Sequence, residues 1–160
     1  MVGAPIVFET EYEFPRVIVW DALIDPDLVS GWLAEASIVP EVGGEYTLRR
    51  LHLVGQPQSF GRISLLEPAE RLDVEMSNGR LSFELVEIAG GSRGTSTRLR
   101  VRVENDVEPA FEARTKADWL VNLEQLEQLL RGHPVDWANW DRDHHAAWSR
   151  YLDTAGHSSA

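Results

Sequence analysis

The stretch FPRVIVWDALIDPDLVSGWL, residues 14–33, decides how the chain folds. Pro15 suits a first helical turn, where its missing N–H costs no hydrogen bond. Phe14 before it is a poor N-cap, so this start is weakly signalled. Val17, Trp20 and Ile24 then recur at i, i+3 and i+7, which predicts a short helix with that face inward. Asp25-Pro26 restarts the pattern as N-cap and first helical residue, with Leu28 and Trp32 four apart on one side of a second helix. Two short helices, each bringing a tryptophan, thus interrupt a chain that reads as strand before and after. Such a pair either closes a cavity or fills a core.

Val7 to Phe14 alternates as a first strand. Beyond the helices, Pro40 and the turn at Val42 to Gly44 introduce EYTLRRLHLV (45–54), which is strand-like, and a further strand runs from about Phe60 to Leu66. The cleanest local signal is RLDVEMSNGRLSFELVEI (71–88). Asn78-Gly79 between two alternating runs is a type I′ hairpin signature, with Leu72, Val74 and Met76 on one arm and Leu81, Phe83 and Leu85 on the other. AGGSRG (89–94) then turns into TSTRLRVRVEN (95–105). Leu99, Val101 and Val103 face one way and Arg98, Arg100 and Arg102 the other, so one sheet face is packed and one is wet. The arginine stripe reads as a solvated face paired with cross-strand acids such as Glu84, in preference to an anion site. After Pro109 the period lengthens from 2 to 3.6. Trp119, Leu123, Leu126 and Leu130 form one stripe of a long helix that Gly132 and Pro134 stop. The expectation is an α+β domain in which one antiparallel sheet covers the long helix.

At 160 residues the chain fits a single core without staples. It has no cysteine, which excludes disulfides, thiolate catalysis and cysteine-ligated metals. The formal charge of −11, from 26 acidic and 15 basic residues, repels nucleic acid and anionic membrane surfaces. The segment MVGAPIVFETEYEF lacks a basic, apolar signal-peptide pattern, and no run reaches the roughly 18 apolar residues of a membrane span. These features lead to the expectation of a cytoplasmic protein.

The order of these pieces resembles the START-like (SRPBCC) superfamily, in the branch named for activators of the heat-shock-protein-90 ATPase. FPRVIVWDALIDPDLVSGWL, VGGEYTL, GRISLLEPAERLDVEM, STRLRVRV and WLVNLEQLEQLL carry the resemblance over about residues 7–131. It implies a helix-grip fold: a curved antiparallel sheet of about six to seven strands around a long C-terminal helix, with a cavity between them. Residues 1–133 would form that domain, and 134–160 an amphipathic helical extension. Trp20 and Trp32 would then line the cavity mouth, unless they are ordinary core fillers. The candidate cavity set is Trp20, Trp32, Tyr46, Leu48, Arg50, His52, Met76, Phe83, Trp119, Asn122, Leu123 and Leu126.

Within that set, EYTLRRLHLV is irregular. Tyr46 and Leu48 share a face that simple alternation extends to Arg50 and His52, whereas Leu51 and Leu53 are apolar in the opposite register. Either a bulge near Arg49-Arg50 flips the strand, or polar groups point into the cavity. An inward Arg50 or His52 calls for a ligand carboxylate or phenolate, because a buried charge is costly unpaired. Asn122, on the edge of the long helix's apolar stripe, either meets a ligand or ties the helix to backbone, with Tyr46 as its companion from the sheet. In the extension, Asp136 reads as N-cap and Trp137, Trp140, His144, Trp148 and Tyr151 as one helical stripe. That stripe docks on the domain or forms a homodimer face through Trp137, Trp140 and Trp148. Asp141 and His145 are four apart, but two ligands do not make a metal site, and no metal or cofactor is expected.

No G-x-S-x-G, H-E-x-x-H, Walker or G-x-G-x-x-G pattern is present. The leading expectation is binding of a small apolar or aromatic molecule between sheet and long helix. The alternatives are a chaperone-ATPase regulator with a stress-response role, and a cyclase- or hydrolase-type enzyme using Arg50, His52 or Tyr46.

Overall fold

The computed structural model describes residues 5–77, 79–105 and 112–158. Within them the chain runs β1 (Ile6–Tyr12), α1 (Arg16–Ile24), α2 (Pro26–Val29), β2 (Glu35–Ile38), β3 (Tyr46–Arg49), β4 (Gln58–Ser59), β5 (Gly61–Glu67), β6 (Arg71–Met76), β7 (Gly79–Ala89), β8 (Thr95–Asn105), α3 (Glu112–Leu130) and α4 (Trp140–Ser158). This is the expected α+β helix-grip arrangement, an antiparallel sheet gripping a long helix. The expected single sheet of six to seven strands is instead a five-stranded sheet, β1-β8-β7-β6-β5, and a three-stranded one, β2-β3-β4. Gly43 N–H to Ile63 O (2.7 Å), Ile63 N–H to Gly44 O (2.9 Å) and the Glu45–Arg62 bridge join the two. Gly61 permits that close approach, because a Cβ there would lie 2.6 Å from the Tyr46 carbonyl oxygen of β3.

The long hairpins follow their alternation. Leu72 pairs with Phe83, Val74 with Leu81, and Leu85 with Leu99, all buried. Asn78 and Pro109 lie outside the described residues. The arginine stripe of β8 is solvated, as expected, but its acids come from β1 and, for Arg102, from Glu104 of β8 itself, in place of Glu84. Arg100 meets Glu9 at 3.2 Å and Arg98 meets Glu11 at 3.1 Å. Those pairs sit in direct register across β1 and β8.

In the helical pair, Asp25 caps α2 by accepting from the Asp27 N–H at 2.9 Å, with Pro26 at the first turn. Pro15 is the N-cap of α1. The inward face of α1 is Val19, Trp20, Ala22 and Leu23, and the expected Val17 points out at 58% exposure. Val19, Trp20, Ala22 and Leu23 together span the helix's contact with the core, and Val17 falls outside that arc. Trp32 lies just after α2, with its indole N–H donating to Ala22 O at 2.7 Å.

Helix α3 ends in a Schellman motif: His133 N–H bonds Gln128 O at 2.8 Å and Gly132 N–H bonds Leu129 O at 2.9 Å. Gly132 supplies the required positive φ of 92°. Val135 N–H then bonds Gly31 O (2.9 Å) and the Trp137 indole donates to Ser30 O (2.7 Å). The linker is thereby tied to the end of the first helical pair, which directs α4 back along α3.

Candidate functional site

Strand β3 stops at Arg49, one residue short of the irregularity. Neither the bulge nor continued alternation occurs. Gly55 at φ 79° and Gln56 at φ 46° allow a reversal that closes through Leu53 N–H to Arg50 O (3.3 Å), Gln56 N–H to Leu53 O (3.0 Å) and Arg50 N–H to Pro57 O (3.0 Å). The apolar pair is resolved by this turn: Leu53 and Val54 face solvent, and Arg50, Leu51 and His52 are partly covered.

His52 packs its ring on two indoles, stacked on Trp137 with centroids 5.2 Å apart and tilted on Trp140 at 4.5 Å. Its Nδ1 is buried with no hydrogen-bond partner. Burial first, then the Arg50 charge, pushes its pKa down to about 4, against smaller opposing help from Asp141. His52 is therefore neutral near pH 7. Burial also lowers the pKa of Arg50, opposed by the charge of Asp118. Among the described residues the Arg50 guanidinium has no hydrogen bond and no ion pair. Asp118, on α3, accepts from the Trp148 indole N–H at 2.7 Å. Burial is the main cause of its raised pKa.

One helical turn beyond Asp118 stands Asn122, 4% exposed, whose Nδ2 has no partner. Its Oδ1 receives a long hydrogen bond, 3.4 Å, from Gln125 Nε2. The same Nε2 donates to Trp32 O at 2.7 Å, and Gln125 Oε1 accepts from the Trp140 indole at 2.8 Å. A hydrogen-bonded chain thus runs from Asn122 through Gln125 to the Trp140 indole, whose ring packs on His52, with Arg50 close enough to feel the charge of Asp118. Helix α4 closes over it, helped by a Tyr151 hydroxyl that donates to Glu124.

The other expected cavity residues are distributed differently. Trp32, Tyr46, Phe83 and Leu126 expose no surface, and Trp20, Leu48 and Trp119 almost none, so atoms and not open space surround them. Trp119 meets Trp32 edge-on at 6.4 Å and Phe83 at 6.2 Å. The Tyr46 hydroxyl donates to Leu23 O at 2.7 Å, and burial raises its pKa well above the ordinary phenol range. Leu123 borders a cleft of about 330 Å³ between β1 and α3. Met76 borders a separate one of about 440 Å³ near Phe60 and Gly61. His52 therefore lies near Arg50, and Arg50 near Asp118, one helical turn from Asn122, while Met76 and Leu123 border separate clefts.

The three tryptophans expected as a dimer face are engaged within their own chain, each indole N–H bonded internally. A residue outside the expected set, Gln125, is the hub of the site. Its only signal in the sequence was a fully polar side chain beside Leu126 on a helix with a second apolar helix to cover it. Among the described residues no cluster of potential metal ligands is present, including at Asp141 and His145, and no helix is long and apolar enough to cross a membrane.

The family model described as activator of Hsp90 ATPase homolog 1-like protein matches residues 13–131. The chain belongs to that family. No curated protein matches it. Among solved structures it is similar to CalU16 from Micromonospora echinospora, at 21% identity and TM-score 0.69, over 96% of this chain and 83% of that one. That overlap necessarily takes in much of the segment beyond residue 131. DynU16, from the dynemicin biosynthetic locus, is 23% identical with TM-score 0.67 over 81% of this chain. This chain spans about half of DynU16, 48% of its length. The Staphylococcus saprophyticus protein SSP2350 is 19% identical, TM-score 0.66, over 83% of this chain and 96% of that one. At these identities the likeness is one of fold. Fold and family together fit a ligand-binding domain of the START-like type.

Proposed function

We propose that the protein binds a small apolar or aromatic molecule against α3, at the end of the domain closed by the 50–57 turn and α4. The observation that carries this reading is the Asn122 amide. A buried N–H group without a partner costs about 1–3 kcal/mol, and such a group in a folded protein calls for a reason. Here it stands among aromatic side chains that offer a flat apolar body its packing area and its orientation. Because the inner aromatic residues expose no surface, occupancy requires the cover formed by α4 to shift.

Two measurements test the reading together. Native mass spectrometry of the freshly purified protein, followed by denaturation, is expected to release a stoichiometric small molecule. Asn122→Leu is expected to lose that molecule while keeping or raising the stability of the empty protein, because the change removes an unsatisfied group at similar volume. Retained ligand in Asn122→Leu, or marked destabilisation of the empty variant, would show that the amide serves the fold. The acid–base reading gains nothing from the geometry. Tyr46 is held by a backbone carbonyl with its proton bound more tightly than usual, and His52 is held neutral between indoles.

A further inference from the structure

The ligand's chemical class can be read more narrowly from what surrounds Arg50, building on the small-molecule reading above. Most described arginines of this acidic chain have a carboxylate partner: Arg49 with Glu35, Arg71 with Asp73, Arg80 with Glu75, and those of β8 with β1 or Glu104. These pairs are largely exposed, where pairing contributes little. Arg50 is less hydrated than they are, so the benefit of pairing is greater, and it has no such partner among the described residues. Asp118, whose charge it feels, does not come within the 4.0 Å of an ion pair, and its carboxylate is already held by Trp148.

Two more unsatisfied groups lie along the same polar chain. Asn122 Nδ2 can only donate. Neutral His52 donates or accepts at Nδ1 according to tautomer. One guanidinium and one amide, both without described acceptors, therefore flank the same turn of α3: Arg50 feels the charge of Asp118, and Asn122 stands four residues on. No described acceptor serves either.

We propose that Arg50 and Asn122, with His52 beside them, receive the carboxylate of an aromatic acid whose ring packs against the tryptophans of α3 and α4. The planar guanidinium matches a carboxylate through two parallel N–H···O bonds, and the Asn122 amide supplies a third donor without adding charge. The indoles of Trp140 and Trp148, held in place by Gln125 and Asp118, give the ring its walls. The −11 formal charge would repel an anion at the surface, so recognition depends on this one partly covered, unpaired cation.

The test uses two probes with one ring system, 2-naphthoate and 2-naphthamide, titrated into the full chain by calorimetry and tryptophan fluorescence. The acid is expected to bind roughly tenfold tighter than the amide, the scale of a charge-assisted pair. Arg50→Gln is expected to abolish that preference while leaving 2-naphthamide affinity within about twofold. Should Arg50→Gln not fold, as judged by circular dichroism, Arg50→Lys carries the test. A charge without the planar fork should lower the preference and not remove it. Equal affinity of both probes in the wild type would overturn the acid head group and leave small-molecule binding standing. A preference that survives in Arg50→Gln would overturn the role of Arg50. Binding of neither probe up to its solubility, together with a ligand-free native mass, would overturn both readings.

Discussion

Substitution of Gln125 by leucine tests whether α4 belongs to the core of the domain or merely rests on it. Gln125 exposes 0% of its surface and ties three elements with one amide, through Trp32 O at 2.7 Å, Asn122 Oδ1 at 3.4 Å and the Trp140 indole at 2.8 Å. Leucine fills nearly the same volume, so the cavity contribution is small. It strands the Trp32 carbonyl and the Trp140 N–H, however, and both residues are buried, at 0% and 7% exposure. Each stranded group costs about 1–3 kcal/mol, and the gain from burying a more apolar side chain offsets roughly 1 kcal/mol of the total. The net loss is about 3 kcal/mol, which for a chain of this length lowers the melting temperature by roughly 6–12 °C. Urea denaturation followed by tryptophan fluorescence measures it, with an unchanged slope expected if the unfolded state is unaltered. Gln125→Glu keeps the acceptor for Trp140 but loses the donor and adds a desolvated charge, so it should be at least as damaging. A Gln125→Leu protein melting within about two degrees of wild type would refute the reasoning, because the stranded groups would then have found other partners.

Acid should weaken the fold through His52. The unfolded chain binds its proton near the ordinary pKa of 6.5 and the folded chain only near 4, so stability falls as pH drops through that window. His52→Gln should flatten the decline in melting temperature between pH 6.5 and 4.5, and an unchanged pH profile would contradict a buried neutral imidazole. Trp148→Phe removes the donor to the half-buried Asp118 carboxylate and should cost about 1–2 kcal/mol, read by thermal melting and by faster proteolytic cleavage in the 133–139 linker. Gly132→Ala places a Cβ at a φ of 92° and should lower stability by about 1 kcal/mol, measured by the same melt.

The parts of the fold legible in the sequence were those with a strict local rule. Alternation in 71–88 and 95–105 placed the long hairpins because a one-residue slip would expose Leu72, Phe83 and Leu99 together. Asp25-Pro26 and Gly132 marked helix ends through chemistry that acts within a few residues. Where the outcome depended on tertiary contact, the local pattern misled. Val17 fits a helical stripe as well as Val19 does, and only the position of Trp20 against the core chooses between them. The short strands β2 and β4 have too few residues for alternation to show, and β3 ends at Arg49, although the residues that reverse the chain, Gly55 and Gln56, come several positions after the conflict at Arg50.

The polar residues of the site were legible one at a time, and their partnership was not. Arg50, His52 and Asn122 each broke an apolar pattern, which is the trace a site leaves in a sequence. Nothing in local spacing says that a helix starting at Trp140 packs its first indole on His52 and bonds Gln125, the partner of Asn122. That follows from the Schellman turn and the Val135–Gly31 bond, which together aim the chain back along α3. With that direction set, the tryptophans of the extension turn inward: Trp140 meets the buried Gln125 amide, and Trp148 the half-buried Asp118 carboxylate. Asn122 is left buried with an unpaired amide N–H, and Arg50 is partly covered without an acceptor among the described residues. Stability alone does not favour that arrangement, since an apolar residue at 122 would remove a cost. Its persistence is explained if the acceptor arrives with a ligand.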